Sequence, residues 1–232
     1  MAREAKEAPT RSRRAPLTRE RVIEAGLRIM DSEGLEAVTM RRIGRELGVE
    51  AMSLYNHVRD KEDILEGLTE RVMSEFAFPP TTGDWTEDAR AMAREWRRLL
   101  GLHPGVMQLL AERHKPLEGL AAFRAMDAAL GVLRRSGLGT REVSQAFNAF
   151  GSYIFGFVMM EQGLMLGHDE DRAHDHEAMA SVLGDAGLPN VVDCFPYFEE
   201  CPSDEQFEFG LDLLIRGLRS AGRSRTRAGG RD

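Results

Sequence analysis

The sequence has only two cysteines in 232 residues, and it has no apolar run of the length that a membrane-spanning helix needs. Its first residues lack the basic, apolar and small-residue regions of a secretion signal, so we expect a cytoplasmic protein with no membrane partner. In that compartment Cys194 and Cys201 are more often reduced thiols than a disulfide, although they could pair. These scarcities argue against a disulfide scaffold and against a membrane protein.

The apolar–polar alternation that marks β-strands is also missing. Apolar residues instead recur three and four positions apart along most of the chain, which is typical of amphipathic helices. Apolar residues make up 42% of the sequence and charged residues 30%, an ordinary composition for a globular protein. The sequence therefore predicts an all-α fold.

The most informative part of the chain begins at Thr39. Thr39 can cap a short helix over 40–47, and Gly48 can end it, because glycine tolerates the left-handed conformation of a helix C-terminus. A second short helix is predicted over 51–57, with Leu54 facing inward. Two short helices, a glycine turn and a polar outer face predict a helix-turn-helix, whose second helix fits the DNA major groove.

Helices are predicted on both sides of this motif. The preceding one, over 18–32, would brace the motif, and the following one, over 61–76, would connect it to the rest of the chain. Residues 17–77 are thus expected to form a three-helix DNA-binding domain with its connector helix. Residues 83–220 are expected to form a larger helical domain for ligand binding and dimerisation.

Basic residues crowd both ends of the chain, although its net charge is −7. Residues 1–16 are expected to form a flexible basic arm, which is either a plain tail or a segment that reaches DNA phosphates or a minor groove. Residues 221–232 are expected to form a disordered basic tail. A locally basic arm on an acidic protein fits sequence-specific DNA binding better than a broad electrostatic attachment.

The helix-turn-helix segment contains a distinctive set of residues, namely Thr39, Arg41, Ile43, Gly48 and Val49, then Leu54-Tyr55-Asn56-His57-Val58 and Asp60-Lys61. Through these residues the segment resembles the tetracycline-repressor (TetR) family. This resemblance implies a transcription regulator that binds double-stranded DNA. The predicted DNA-binding residues are Thr39, Arg41, Ala51, Met52, Ser53, Tyr55, Asn56, His57 and Lys61.

These residues are expected to divide the work between bases and phosphates. Arg41 suits the two acceptors of guanine, or a phosphate. Ser53 and Asn56 are candidate base or phosphate contacts, and Ala51 and Met52 could touch a thymine methyl group. The remaining four residues are expected to hold phosphates and fix the register on the duplex.

Residues 83–220 resemble the C-terminal domain of the tetracycline repressors themselves. The residues that carry this resemblance are Gly83, Trp85, the run Trp96-Arg97-Arg98-Leu99-Leu100, Pro116, Gly137-Leu138, Gly156 and the helix 207–218. The resemblance implies a homodimer held by a four-helix bundle, built from the helix around 141–164 and the last helix. The predicted interface residues are Phe147, Ile154, Phe157, Val158, Phe207, Leu211, Leu214 and Leu218.

The sequence departs from the tetracycline repressors where those proteins hold magnesium. The corresponding positions fall near Leu109 and Met160, and neither side chain offers the oxygen ligands that magnesium prefers. We therefore expect an apolar, metal-free effector. The predicted ligand-binding residues are Phe76, Met92, Trp96, Met107, Leu110, Phe123, Met126, Asp127, Phe150 and Met160, with plain core packing as the alternative for each.

The segment 168–177 is rich in histidine and carboxylate residues. It could bind a metal such as zinc and would then suggest a metal-dependent hydrolase, but a solvated acidic loop is the favoured interpretation, because nothing in the segment imposes a rigid geometry. No nucleophile motif accompanies it. We expect no enzymatic activity, no cofactor and no metal.

The combined hypothesis is a ligand-responsive transcriptional repressor that binds a palindromic operator as a homodimer and is released by a small apolar effector. An activator or a co-repressor-type regulator has the same sequence signature. Two hypotheses from different classes of protein are a helical interaction module and a metal-binding helical protein without a DNA function.

Overall fold

The computed structural model describes residues 16–112, 119–163, 184, 186–198 and 204–228. All regular elements in these ranges are helical, which confirms the all-α prediction. The N-terminal helices are α1 (Arg19–Glu33), a 3₁₀ turn (Leu35–Ala37), α2 (Met40–Leu47), α3 (Ala51–Leu54) and α4 (Lys61–Met73). The later helices are α5 (Trp85–Leu102), α6 (Pro104–Glu112), α7 (Leu120–Arg134), α8 (Thr140–Glu161), α9 (Pro189–Phe198) and α10 (Asp204–Ala228).

Local side-chain chemistry explains where the N-terminal helices begin and end. The Thr39 hydroxyl accepts a hydrogen bond from the Arg42 amide at 3.1 Å, and the Asp60 carboxylate accepts one from the Asp63 amide at 2.8 Å. Both bonds satisfy amides that a helix N-terminus leaves without partners. Gly48 ends α2 with φ 66° and ψ 38°, the left-handed conformation expected there.

The connector helix α4 belongs to the core of both parts of the chain. Its buried residues, such as Ile64 and Leu68, pack with Ile43 and Leu54 of the helix-turn-helix. The same core also includes residues of α6 and α7, against which α4 packs. A second core lies between α5, α8 and α10 and contains large buried side chains such as Phe207. A shift of α6 or α7 therefore bears directly on α4.

Three predicted boundaries require correction. The second helix of the motif ends at Leu54 rather than at 57, because the Leu54 carbonyl accepts from both the His57 and the Val58 amides and turns the chain tightly. The connector ends at Met73 rather than at 76. Residues 221–228, which we expected to be disordered, continue α10.

The packing of Gly222 accounts for the longer last helix. A Cβ on this glycine would lie 2.7 Å from the carbonyl oxygen of Ser136, so α10 lies directly against the end of α7. Arginine, frequent in this stretch, is also a good helix former. Residues 1–15 of the basic arm and 229–232 of the tail lie outside the described residues, as do Pro116, the segment 168–177 and Cys201.

Candidate DNA-binding surface and ligand cavity

Close packing holds α3 against α2. The Val49 amide donates to the Gly44 carbonyl at 2.9 Å, and a Cβ on Gly44 would lie 2.9 Å from the Val49 carbonyl oxygen. Only a residue without a side chain permits this approach. Leu54, fully buried, fixes the inner side of α3. This arrangement confirms the predicted helix-turn-helix.

The structure leaves the predicted DNA-binding residues accessible to a partner. Those that are exposed are Thr39, Arg41, Met52, Tyr55, Asn56 and Lys61, and those that are half-buried are Ala51, Ser53 and His57. Met52 stands out because 73% of an apolar side chain is exposed at the centre of α3. Their individual roles on DNA stay predictions.

The three arginines of α2 have different surroundings. Arg42 is half-buried and is held by Glu33 at 2.6 Å and by Glu46 at 2.9 Å, and its hydrogen bond with Glu33 raises the pKa of the guanidinium further above its ordinary value. Arg41 and Arg45 are exposed. They lie four residues apart and so share one face of α2. The sequence-based prediction includes Arg41 but not Arg45, although the i, i+4 spacing already places both on one face of the helix.

A buried carboxylate fixes the start of α4, next to Lys61. Asp63 accepts hydrogen bonds from the Arg19 guanidinium at 2.7 Å and from the Arg59 amide at 2.9 Å. These bonds, the Arg19 bond above all, hold the pKa of Asp63 below its ordinary value. The interaction ties α1 to the turn between α3 and α4.

A cavity of about 190 Å³ lies between α5, α7 and α8, with Leu110 of α6 in its wall. We call it the apolar cavity, because its wall consists of apolar side chains and one glycine. Its lining residues are Ala89, Met92, Ala93, Trp96, Leu100, Leu110, Ala129, Val132, Leu133, Phe147, Phe150, Gly151, Ile154 and Phe155. It brings together four of the ten predicted ligand residues, namely Met92, Trp96, Leu110 and Phe150.

The other six predicted ligand residues lie outside this wall. Phe76 is buried against the Trp96 ring, with the ring centroids 4.9 Å apart, and Met107 is buried in the second core. Phe123 and Asp127 are exposed on α7, while Met126 and Met160 are half-buried. The small wall residues, such as Ala93 and Gly151, were missed because they create space by lacking a side chain, which no periodic pattern reveals.

The predicted dimer residues need a similar correction. Phe157, Val158, Phe207 and Leu211 are buried in the core of their own subunit, so they cannot reach a partner. Ile154 is also buried and, with Phe147, lines the apolar cavity; Leu214 and Leu218 are half-buried. Among the α10 side chains that the structure describes, the large apolar ones that are exposed are Phe209 and Leu213, with 66% and 56% of their surfaces accessible.

Metal and membrane binding can be assessed only for the described part of the chain. Within it, no three or more histidine, cysteine, aspartate and glutamate side chains are grouped closely enough to hold a metal ion. The histidine- and acid-rich segment 168–177 lies outside that part. No described helix has the length and apolarity to cross a membrane.

Comparison with known families matches both parts of the chain. Residues 22–68 match the family model for bacterial regulatory proteins of the tetR family. Residues 79–221 match the model for the tetracyclin repressor-like C-terminal domain. Residues 69–78, which include the end of α4, lie between the two matches, where the connector leads into the larger domain.

Individual relatives cover nearly the whole chain. The HTH-type transcriptional repressor DrrR1 of Streptomyces coeruleorubidus is 36% identical over 219 residues, which is 90% of this chain and 80% of that protein. The class D tetracycline repressor of Escherichia coli is 25% identical over 88% of this chain and 90% of its own length. Among solved structures, apo ActR from Streptomyces coelicolor superposes with a TM-score of 0.75 at 27% identity, covering 91% of this chain and 99% of ActR. The chain therefore belongs to the tetR family of bacterial regulatory proteins, the family of DNA-binding transcription regulators that its helix-turn-helix predicted.

Proposed function

We propose that this protein is a homodimeric transcriptional repressor that releases a palindromic operator when a small, apolar, metal-free molecule fills the apolar cavity. The observation that carries the proposal is the position of α4, which packs in one core with the exposed helix-turn-helix and also lies against α6 and α7, two helices that line the apolar cavity. The relative DrrR1, named a transcriptional repressor, supports the direction of control.

On DNA, α3 would lie in the major groove and present Met52, Ser53 and Asn56 to base edges. Arg41 and Arg45, on one face of α2, would reach a base edge or flanking phosphates. The two helix-turn-helix units of a dimer would occupy successive major grooves about 34–36 Å apart, and their two-fold symmetry requires a palindromic site.

The dimer would form through α8 and α10. Phe209 and Leu213 lie one turn apart on the exposed face of α10 and form an apolar patch, which supports an interaction site there. Gly217, one turn further on, has open space around it that another helix could approach closely. A second copy of the same face would bury all three positions.

The effector would be apolar because the cavity wall is apolar. Leu109, one of the positions where the tetracycline repressors hold magnesium, is buried here among apolar residues and has no ligating atom. ActR from Streptomyces coelicolor, 26% identical to this chain, has been solved in complex with actinorhodin, which supports control of this protein by a bound organic molecule.

The signal would travel from α7 to α4. Ala129, Val132 and Leu133 of α7 line the cavity, and the first turn of α7 donates the Ala121 amide to the Glu70 carboxylate of α4 at 2.9 Å. An effector that shifts α7 would therefore displace α4 and move apart the two helix-turn-helix units of the dimer. To shift the equilibrium from almost entirely DNA-bound to almost entirely released, the effector must bind the released state more favourably by about 5.5 kcal/mol.

Selection from random double-stranded DNA at physiological salt tests the proposal. We expect a palindromic sequence to be enriched by the full-length protein, and a library of uncharged polycyclic compounds to contain members that release it. A scrambled duplex of the same composition is the control for non-specific binding through the basic ends. Enrichment of no sequence contradicts DNA recognition, and tighter DNA binding with a compound indicates a co-repressor-type regulator instead.

A further inference from the structure

The apolar cavity has a neighbouring hollow. A second space of about 390 Å³ lies between the segment 78–81, α5 and α7, and we call it the outer cleft. Met92 and Val132 line both the outer cleft and the apolar cavity. These two side chains are thus shared walls between the two spaces.

The sizes of the two spaces bear on the effector. The apolar cavity alone, at about 190 Å³, is smaller than the sites of about 300–1,000 Å³ that hold drug-sized molecules. Taken with the outer cleft, the space falls within that range. Met92 is unbranched and turns easily about its side-chain bonds, so the shared wall can open without a change in the backbone.

A row of aromatic rings links the two spaces. Phe78 lines the outer cleft and keeps 54% of its surface exposed. Its ring meets Phe76 edge-on at 5.1 Å, and Phe76 in turn contacts Trp96, which lines the apolar cavity. Phe76 itself is buried and lines neither space, so its ring packs the aromatic walls of the two spaces against each other.

The far side of the outer cleft is polar but electrically balanced. Asp88 is buried and accepts hydrogen bonds from the Thr81 hydroxyl at 2.7 Å and the Thr82 amide at 2.8 Å, and it forms an ion pair with Arg135. Arg135 also donates to the Thr81 hydroxyl at 2.9 Å. An anionic group would meet the Asp88 carboxylate and a cationic group the Arg135 guanidinium, whereas a neutral oxygen conflicts with neither.

We propose that the outer cleft is the second half of the effector site and that it takes the uncharged, hydroxyl- or carbonyl-bearing end of an elongated molecule. The apolar body of the same molecule lies in the apolar cavity, with Met92 turned aside between the two halves. This inference rests on the proposed function, because it specifies the effector that the repressor would sense.

Gly131 provides a matched pair of test variants. It lines the outer cleft on α7, and a Cβ there would meet nothing within 4 Å. The Gly131→Phe variant fills the cleft with an aromatic ring. The Gly131→Ala variant makes the same change to the helix backbone but adds only a methyl group, so it serves as the control.

Two dyes and naphthalene act as probes of defined shape and charge. Nile red is an uncharged, four-ring dye with a carbonyl end, Nile blue is its cationic analogue, and naphthalene is a two-ring molecule for the apolar cavity alone. Binding is followed by dye fluorescence for the two larger probes and by quenching of tryptophan fluorescence for naphthalene. The full-length protein is used throughout.

We expect Gly131→Phe to weaken Nile red binding about tenfold or more relative to Gly131→Ala, with naphthalene binding unchanged. We also expect the wild type to bind Nile blue more weakly than Nile red. Equal Nile red affinities in the two variants would overturn the proposal that the outer cleft is part of the effector site. So would a loss of naphthalene binding in Gly131→Phe as large as its loss of Nile red binding. Failure of the wild type to bind naphthalene would overturn the effector cavity of the proposed function as well, while DNA selection would still test operator binding separately.

Discussion

The imidazole Nδ1 of His103 lies 3.1 Å from both carboxylate oxygens of Asp31. The other ring nitrogen lies 3.2 Å from Glu75, which is also paired with Arg71 of α4. His103 is buried immediately before α6, whereas Asp31 lies on α1 and Glu75 just beyond α4. The His103 side chain thus connects α1 of the DNA-binding domain, the end of the connector helix α4 and the start of α6 in the larger C-terminal domain.

This connection predicts measurable coupling between His103 and Glu75. Partial burial alone would raise the pKa of Glu75, but the His103 hydrogen bond and the charge of Arg71 outweigh it and hold that pKa below its ordinary value. We expect His103→Leu and Glu75→Gln each to lower the free energy of unfolding by about 1–2 kcal/mol. The double variant should lose less than the sum, with a coupling energy of about 1 kcal/mol.

Urea unfolding of the wild type, the two single variants and the double variant measures this coupling. Leu102→Ala, at an exposed position next to His103, is the control and should change stability little. Strict additivity of the two substitutions would show that the two side chains do not interact in solution.

The DNA-binding assignments predict two different kinds of loss. Lys61→Ala should weaken binding to all sequences alike and reduce the slope of affinity against salt by about one unit, as a lost phosphate contact does. Arg41→Ala should cost about 1–3 kcal/mol on the selected operator and relax the preference at one base position. Anisotropy titrations distinguish the loss of a phosphate contact from the loss of a base contact. They are run over a range of salt concentrations, on the operator and on single-base variants of it.

Arg124→Ala is the control for charge alone, because Arg124 is exposed on α7, outside the DNA-binding head. It should leave affinity and base preference unchanged. If Lys61→Ala changed the preferred DNA sequence, the assignment of Lys61 to a phosphate contact would be wrong.

The proposed dimer face on α10, formed by Phe209 and Leu213, predicts a monomeric variant. A carboxylate at Leu213 would be buried without a partner in a symmetric interface, so Leu213→Glu should weaken self-association about a hundredfold or more. Sedimentation equilibrium measures this directly, and the helical circular dichroism signal should persist. Leu120→Glu, at a similarly exposed leucine on α7, should stay dimeric. Dissociation of both variants, or of neither, contradicts the assignment to α10.

The sequence was informative where one residue's own chemistry decides the local structure. A threonine that can cap and a glycine that can turn left-handed are recognisable without tertiary context, so Thr39 and Gly48 placed α2 correctly. It was uninformative where a helix has two apolar faces. Phe207 and Phe209 are two residues apart on α10, and only packing against Tyr153 and Phe157 shows that the first belongs to the subunit's own core.

Asp88 predicts how stability depends on pH. Its pKa is held far below the ordinary value, first by the Thr82 amide and then by the Thr81 hydroxyl and the charge of Arg135. A carboxyl group whose folded pKa is lowered stabilises the protein above its unfolded pKa, about 3.9, and loses that contribution as pH falls further. We therefore expect Asp88→Asn to be much less stable than the wild type at pH 7, and the difference to shrink steadily between about pH 5 and pH 2.

Thermal unfolding at a series of pH values follows this difference. Asp127→Asn, at an exposed position on α7, is the matched control and should track the wild type throughout. A constant difference in stability between Asp88→Asn and the wild type would mean that the carboxylate charge contributes nothing and that only the shape of the hydrogen-bond network matters.

The same substitution should also affect ligand binding, because Asp88 joins the 78–82 segment to Arg135 at the outer cleft. Asp88→Asn should weaken Nile red binding at pH 7 more than naphthalene binding, which would link the pH effect to the outer cleft.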